Sequence, residues 1–83
     1  MAYLYILQSE STGRFYVGST NNLTRRLEEH VRGQTSSTRG RGPWKLVHKE
    51  EYESLLAAHR RELEIKQWKS SKMIKALLSQ AGG

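Results

Sequence analysis

Cysteine is absent from these 83 residues, which excludes disulfide staples and thiolate-ligated zinc and makes a reducing compartment, the cytoplasm, the expected location. Aspartate is absent too. All eight acidic residues are glutamates, which argues against nuclease chemistry built on an Asp-rich two-metal cage. No apolar run approaches the length a bilayer requires, and the chain enters Tyr3-Leu4-Tyr5-Ile6-Leu7 without a basic leader or a small-residue cleavage site. A soluble, non-exported protein is therefore expected. The length allows one domain, residues 1–83, with a frayed tail from about residue 80.

Positive charge is plentiful. Fourteen Lys and Arg against eight Glu give a formal charge of +6 and a pI near 10, a balance that favours polyanionic partners, nucleic acid first.

AYLYILQ (residues 2–8) and RFYVGS (residues 14–19) are aromatic and branched enough for strands, and the turn residues SESTG between them predict a hairpin. Alternation sets Tyr3, Tyr5 and Leu7 on one face of the first strand and Leu4 and Ile6 on the other, and allows Tyr5 and Tyr16 to share a face. Asn21 or Asn22 caps a helix with Leu23, Leu27 and Val31 on one side and Gly33 just past its end. Arg26 and His30, four apart, flank that stripe on one edge. GQTSSTRGRGP (residues 33–43) is an aperiodic loop, and WKLVHKE a third strand whose adjacent Leu46 and Val47 suggest cover on both faces. Ser54 caps a second helix to about Trp68, and Ser70 or Ser71 a third carrying Ile74, Leu77 and Leu78. The fold expected is α+β, a small three-stranded antiparallel sheet flanked by helices in the order β-β-α-β-α-α.

The second helix holds the most informative residue. Leu55, Ala58 and Ile65 define its apolar side, and Glu62 points into the middle of it, with His59 and Lys66 close by. A carboxylate on a packing face is costly unless it gains a cation, a metal ion or several hydrogen bonds. Its ordinary explanation is an i,i+4 pair with Lys66. Tyr5 and Tyr16 taken singly are strand aromatics, and Arg26 and His30 taken singly a solvated helix edge. His48 and His59 read as local strand and helix residues.

Taken together, two tyrosines on one sheet face, an Arg and a His at i,i+4, and a Glu on an apolar helix face resemble the GIY-YIG nuclease family in arrangement and order. The half-motifs correspond to Tyr3-Leu4-Tyr5 and Tyr16-Val17-Gly18. Glu62 sits in the A-x-x-x-E context of AHRRE, and the passage from Thr38-Arg39 to Pro43-Trp44 fits as well. The chain is most similar to the small stand-alone bacterial proteins of that family, and it shares features with the catalytic domain of the eukaryotic structure-specific endonuclease that works with a scaffold partner. Tyr3 replaces the first glycine of the motif, Ser19 stands where the excision-repair incision subunit has a lysine, and no match exists for the late asparagine of some members.

The resemblance implies a divalent-metal-dependent endonuclease acting on DNA phosphodiesters, structure-selective or single-strand-selective, in repair or recombination. Glu62 would hold one Mg2+ or Mn2+, weakly without substrate, because hard ions keep several waters. Tyr16 or Tyr5 would orient or deprotonate the water, although a phenol ordinarily titrates at about 10. Arg26 would neutralise the phosphate with its planar fork, and His30 would hold a tyrosine, shuttle its proton or contact phosphate. Arg39 and Arg41 make a cationic loop suited to a phosphate backbone, and Arg14, Arg25, Lys45 and Lys69 are general nucleic-acid-binding candidates. Two rivals stand beside this reading: a nucleic-acid-binding module of the same fold with little or no turnover, and a scaffold whose basic face docks an acidic protein. A targeting protein partner is compatible with the first reading.

Overall fold

The computed structural model describes residues 1–33, 42–68 and 71–81. Its elements run β1 (Ala2–Ser9), β2 (Phe15–Thr20), α1 (Leu23–Val31), β3 (Trp44–Tyr52), α2 (Leu55–Lys66) and α3 (Ser71–Ala81). This is the expected β-β-α-β-α-α order. The three strands form one antiparallel sheet in the order β2-β1-β3, so the first strand in sequence is the central one. That position explains its composition. Leu4, Tyr5, Ile6 and Leu7 are all at most 1% exposed, and a strand covered on both faces needs an unbroken apolar run rather than alternation.

The β1–β2 register pairs Tyr5 with Gly18 and Leu7 with Tyr16, which sets the two tyrosines on one face as expected. Leu4 pairs with Ser19 and Ile6 with Val17 on the other face. There Leu4, Ile6 and Val17 pack with Ile65 of α2, joined by Phe15, Val47, Tyr52, Trp68, Ile74 and Leu77.

The expectation that β3 is covered on both faces needs correction. It is an edge strand with Leu46 38% exposed, and the adjacency of Leu46 and Val47 marks an irregularity instead. The register jumps from Ile6–His48 to Leu7–Leu46, which leaves Val47 as the extra residue of a bulge. Val47 packs on the α2 side while Leu46 lines a small cavity with Leu7, Leu27 and Trp44.

Local chemistry sets the helix ends. The Asn22 side chain accepts from Arg25 N at 3.1 Å, and Gly33 follows the C-cap at φ 71°, a left-handed conformation that suits glycine. Ser54 caps α2 by accepting from Ala57 N at 3.2 Å. Two stripe residues are largely exposed: Val31 at 76% and Leu55 at 46%, each at an end of its helix. Helix α3 continues through Ala81, past the residue at which fraying was expected.

One close approach fixes the geometry of the sheet. A Cβ placed on Gly18 would lie 2.5 Å from the Tyr5 hydroxyl oxygen and 2.6 Å from Cζ, so the Tyr5 ring end occupies the space a side chain would take. Gly18→Ala should therefore destabilise the protein by about 1–3 kcal/mol, read from chemical denaturation midpoints. In a Tyr5→Leu background the same change should cost much less, and equal costs in the two backgrounds would show that the ring is not the obstacle.

Candidate active site

Helix α1 is tied to the sheet through its polar edge. His30, the buried residue of α1 at 3% exposure, places Nε2 3.0 Å from the Tyr5 hydroxyl, and Arg26 Nε donates to the same oxygen at 3.3 Å. The phenol oxygen thus accepts from the guanidinium and shares a second hydrogen bond with the imidazole. Tyr16 packs edge-on against His30 with ring centroids 4.9 Å apart, lies 6.3 Å from the Tyr5 ring, and meets Trp44 at 6.4 Å. Four of the five catalytic candidates thus form one cluster.

Its electrostatics follow from burial. Burial pushes the Tyr5 phenol up to about 12, against the opposing pull of Arg26, so Tyr5 stays protonated and is a poor base. Burial, reinforced by the Arg26 charge, holds His30 below its ordinary value. Arg26 is held firmly charged, first by Glu29, which accepts from Nη1 at 2.8 Å, then by Tyr5. Glu29 also pairs with Arg25 at 3.4 Å.

Glu62 stands apart from this cluster. It is buried on α2, at 9% exposure, and its partners are Ser19, whose hydroxyl donates to Oε1 at 2.6 Å, His59 Nδ1 at 3.4 Å from Oε1, and Lys66, whose ammonium donates to Oε2. Ser19 lies on the α2 face of β2 while Tyr5 and Tyr16 lie on the α1 face. The expected constellation is therefore split across the edge strand. The two parts still communicate: Gly18, under the Tyr5 hydroxyl, is the chain neighbour of Ser19, and the Glu62 charge helps raise Tyr5. Burial alone would push the Glu62 carboxyl up, but Lys66 and Ser19 outweigh it and hold it below its ordinary value. The i,i+4 pair anticipated as the ordinary explanation is thus present, yet it does not account for the Ser19 bond.

These residues suit a hard divalent ion. An ionised carboxylate beside the Ser19 hydroxyl offers the oxygen donors such ions take while keeping most of their water, and Lys66 now holds Oε2. Among the described residues no group of three or more His, Cys, Asp or Glu comes together.

A second, half-buried network had no sequence signal, because Arg61 on α2 joins it from a different segment than His48, Glu50 and Tyr52. Glu50 on β3 accepts from the Tyr52 hydroxyl at 2.6 Å and from Arg61 Nε at 3.0 Å, and meets His48 Nε2 at 2.9 Å. Arg61 also donates to Glu64 at 2.7 Å and stacks over Trp68 at 5.5 Å. This clamp fixes the rotation of α2, and with it the aim of Glu62, one residue on. Of the nucleic-acid-binding candidates, Arg14, Arg25 and Lys45 are exposed, while Arg39, Arg41 and Lys69 lie outside the described residues. Among the described residues no helix is long and apolar enough to cross a membrane.

The His30 environment predicts a pH effect on stability. Its proton affinity is lower folded than unfolded, so the unfolded chain takes up protons first and stability falls as pH drops below the ordinary value of 6.5. The carboxyls held low act only below about 4.5. Denaturation midpoints between pH 7.5 and about 5.5 should decline in the wild type and stay nearly flat in His30→Gln. An equal decline in both would assign the effect elsewhere.

Known proteins resemble the chain over most of its length. The chain is 40% identical over 81 residues to a UPF0213 protein of Natronomonas pharaonis, covering 96% of this chain and 94% of that one. It is 38% identical over 82 residues to a UPF0213 protein of Clostridium perfringens, covering 98% and 87%. The solution NMR structure of the UPF0213 protein of Bacillus halodurans, 38% identical, superposes with a TM-score of 0.63 over all of this chain and 88% of that one. The family described as the GIY-YIG catalytic domain matches residues 1–75. With Tyr5 and Tyr16 on one face of β1 and β2, and α1 bonded to Tyr5 and packed on Tyr16, the chain belongs to the GIY-YIG catalytic domain family.

Proposed function

We propose that the protein is a divalent-metal-dependent endonuclease that hydrolyses DNA phosphodiester bonds, favouring single-stranded or branched forms, in repair or recombination. The observation that carries this reading is the cluster of Tyr5, Tyr16, Arg26 and His30, with a buried, ionised Glu62 across the same edge strand. A packed core gains nothing from such a set, since burying polar groups costs stability unless each is satisfied.

The roles divide by environment. Tyr16, less buried than Tyr5, would orient the attacking water and receive its proton. Tyr5, kept protonated, would instead fix the His30 ring, and His30 in turn the Tyr16 ring packed on it. Arg26 would neutralise the charge that builds on the phosphate, and its bond to Glu29 keeps the guanidinium aimed. Glu62 would hold one Mg2+ or Mn2+ with waters and phosphate oxygens; when bound, the ion would polarise the phosphate and stabilise the departing oxygen. Arg14, Arg25 and Lys45, with Arg39, Arg41 and Lys69, would supply the sequence-independent grip on the backbone.

One observation favours the second reading, a nucleic-acid-binding module of the same fold: Lys66 already holds the carboxylate oxygen an ion would need. Cleavage of labelled duplex, single-stranded, flap and four-way-junction DNAs with Mg2+ or Mn2+ separates the two. Under the nuclease reading Glu62→Gln and Tyr16→Phe lose roughly 10²–10⁴-fold in rate while DNA binding is retained, and Tyr5→Phe loses less than Tyr16→Phe. No cutting of any substrate by the wild type, with binding equal in all variants, would leave the binding module.

A further inference from the structure

The outer edge of β2 faces a groove of about 510 Å³ that shares only Tyr16 with the cluster above, lined by Arg14, Phe15, Tyr16, Ile65, Lys66 and Ile74 among others. Because β2 is an edge strand, no strand of the described residues covers that side. Its size lies within the range of small-ligand sites, roughly 300–1,000 Å³. Its chemistry is mixed, with apolar Phe15, Ile65 and Ile74 on one hand and cationic Arg14 and Lys66 on the other. An unstacked base with its phosphate has that character, and stacking on aromatic side chains is how unpaired nucleotides are commonly held. Tyr16 belongs both to this wall and to the cluster with His30, so the groove adjoins the site proposed for hydrolysis.

Lys66 belongs to both places. Its ammonium is on Glu62 Oε2, yet its side chain is 48% exposed, so the amine can leave the carboxylate without crossing the core. Glu62 would not lose its position when that happens, because Ser19 holds the other oxygen at 2.6 Å. An ammonium and a divalent cation on one carboxylate repel each other, and a phosphate in the groove offers the ammonium a second anion.

Building on the reading of Glu62 as the metal ligand, we propose that a nucleotide of the bound strand occupies this groove and that its phosphate draws Lys66 off Glu62, coupling strand binding to divalent-cation binding. Lys66 is then a positioning residue that keeps the carboxylate aimed and neutralised until substrate arrives. Coupling of this kind is reciprocal: the cation tightens the strand as much as the strand tightens the cation. A helix pair serving stability alone would show no such linkage.

The test measures Mn2+ binding by the electron paramagnetic resonance of the free ion, with and without thymidine 3′,5′-bisphosphate, which has no internucleotide bond to cut. Glu62→Gln supplies the background, including ion held by the nucleotide itself. In the wild type the bisphosphate should tighten Glu62-dependent Mn2+ binding about five- to tenfold. Lys66→Met should bind Mn2+ more tightly before any nucleotide is added and gain less than about twofold from it. Lys66→Gln repeats the measurement should the methionine variant fold poorly. Amide shifts on adding the bisphosphate should centre on Phe15 and Ile74. Equal tightening in wild type and Lys66→Met, or shifts confined to α1, would overturn the coupling while leaving Glu62 as a ligand. Absence of Glu62-dependent Mn2+ binding in every variant would overturn the metal reading together with it.

Discussion

The contact on which the arrangement depends is the Tyr5 ring end lying over Gly18. It places a hydroxyl at the edge of a strand that is otherwise sealed on both faces, and there the hydroxyl takes one bond from Arg26 and shares another with His30. Those two bonds hold the polar edge of α1 against the sheet. They also explain why α1 buries a histidine where a core-facing helix would ordinarily bury a leucine. A phenol without such partners would be costly at this depth. Satisfied, it sets the spacing among helix, strand and the Tyr16 ring packed beside His30.

The same depth separates the chemical roles of residues of one type. Burial keeps Tyr5 protonated, so it serves as a fixed hydrogen-bonding partner of Arg26 and His30, while Tyr16 is less buried. Among the glutamates, Glu50 is consumed in clamping β3 to α2 through Arg61 and Tyr52, and Glu29 in aiming Arg26. Glu62 is ionised in a buried position, held by Ser19 and Lys66. In a chain without aspartate, two of the carboxylates are thus tied to arginines and the buried one to a hydroxyl and a lysine. The Arg61 clamp then matters for Glu62 without touching it, because it fixes the rotation of the helix that presents it.

Local signals carried the elements well. Asn22 and Ser54 cap the helices expected of them and Gly33 ends α1, because caps and C′ glycines act through bonds within a few residues. The shared face of Tyr5 and Tyr16 follows from alternation along two strands joined by a short turn, and the Arg26–His30 edge from helical spacing. Leu55 and Val31 misled for the converse reason. Periodicity assigns a residue to a side of its helix but not to a neighbour, and these two helix-end residues remain largely exposed.

What the sequence determined by itself was therefore everything set by spacing along one segment: the order of elements, the caps, the tyrosine pair, the Arg–His edge and the anomalous Glu62 on an apolar stripe. Tertiary structure alone decided what spans segments. It made β1 the central strand, turned the Leu46–Val47 adjacency into a bulge, gathered Glu50 with Arg61, and gave Glu62 the Ser19 hydroxyl. It also put Glu62 on the face of β2 opposite the tyrosines. The reason is physical: which groups meet across a sheet depends on strand order and register, and those are fixed by the combined burial of all the strands and helices at once.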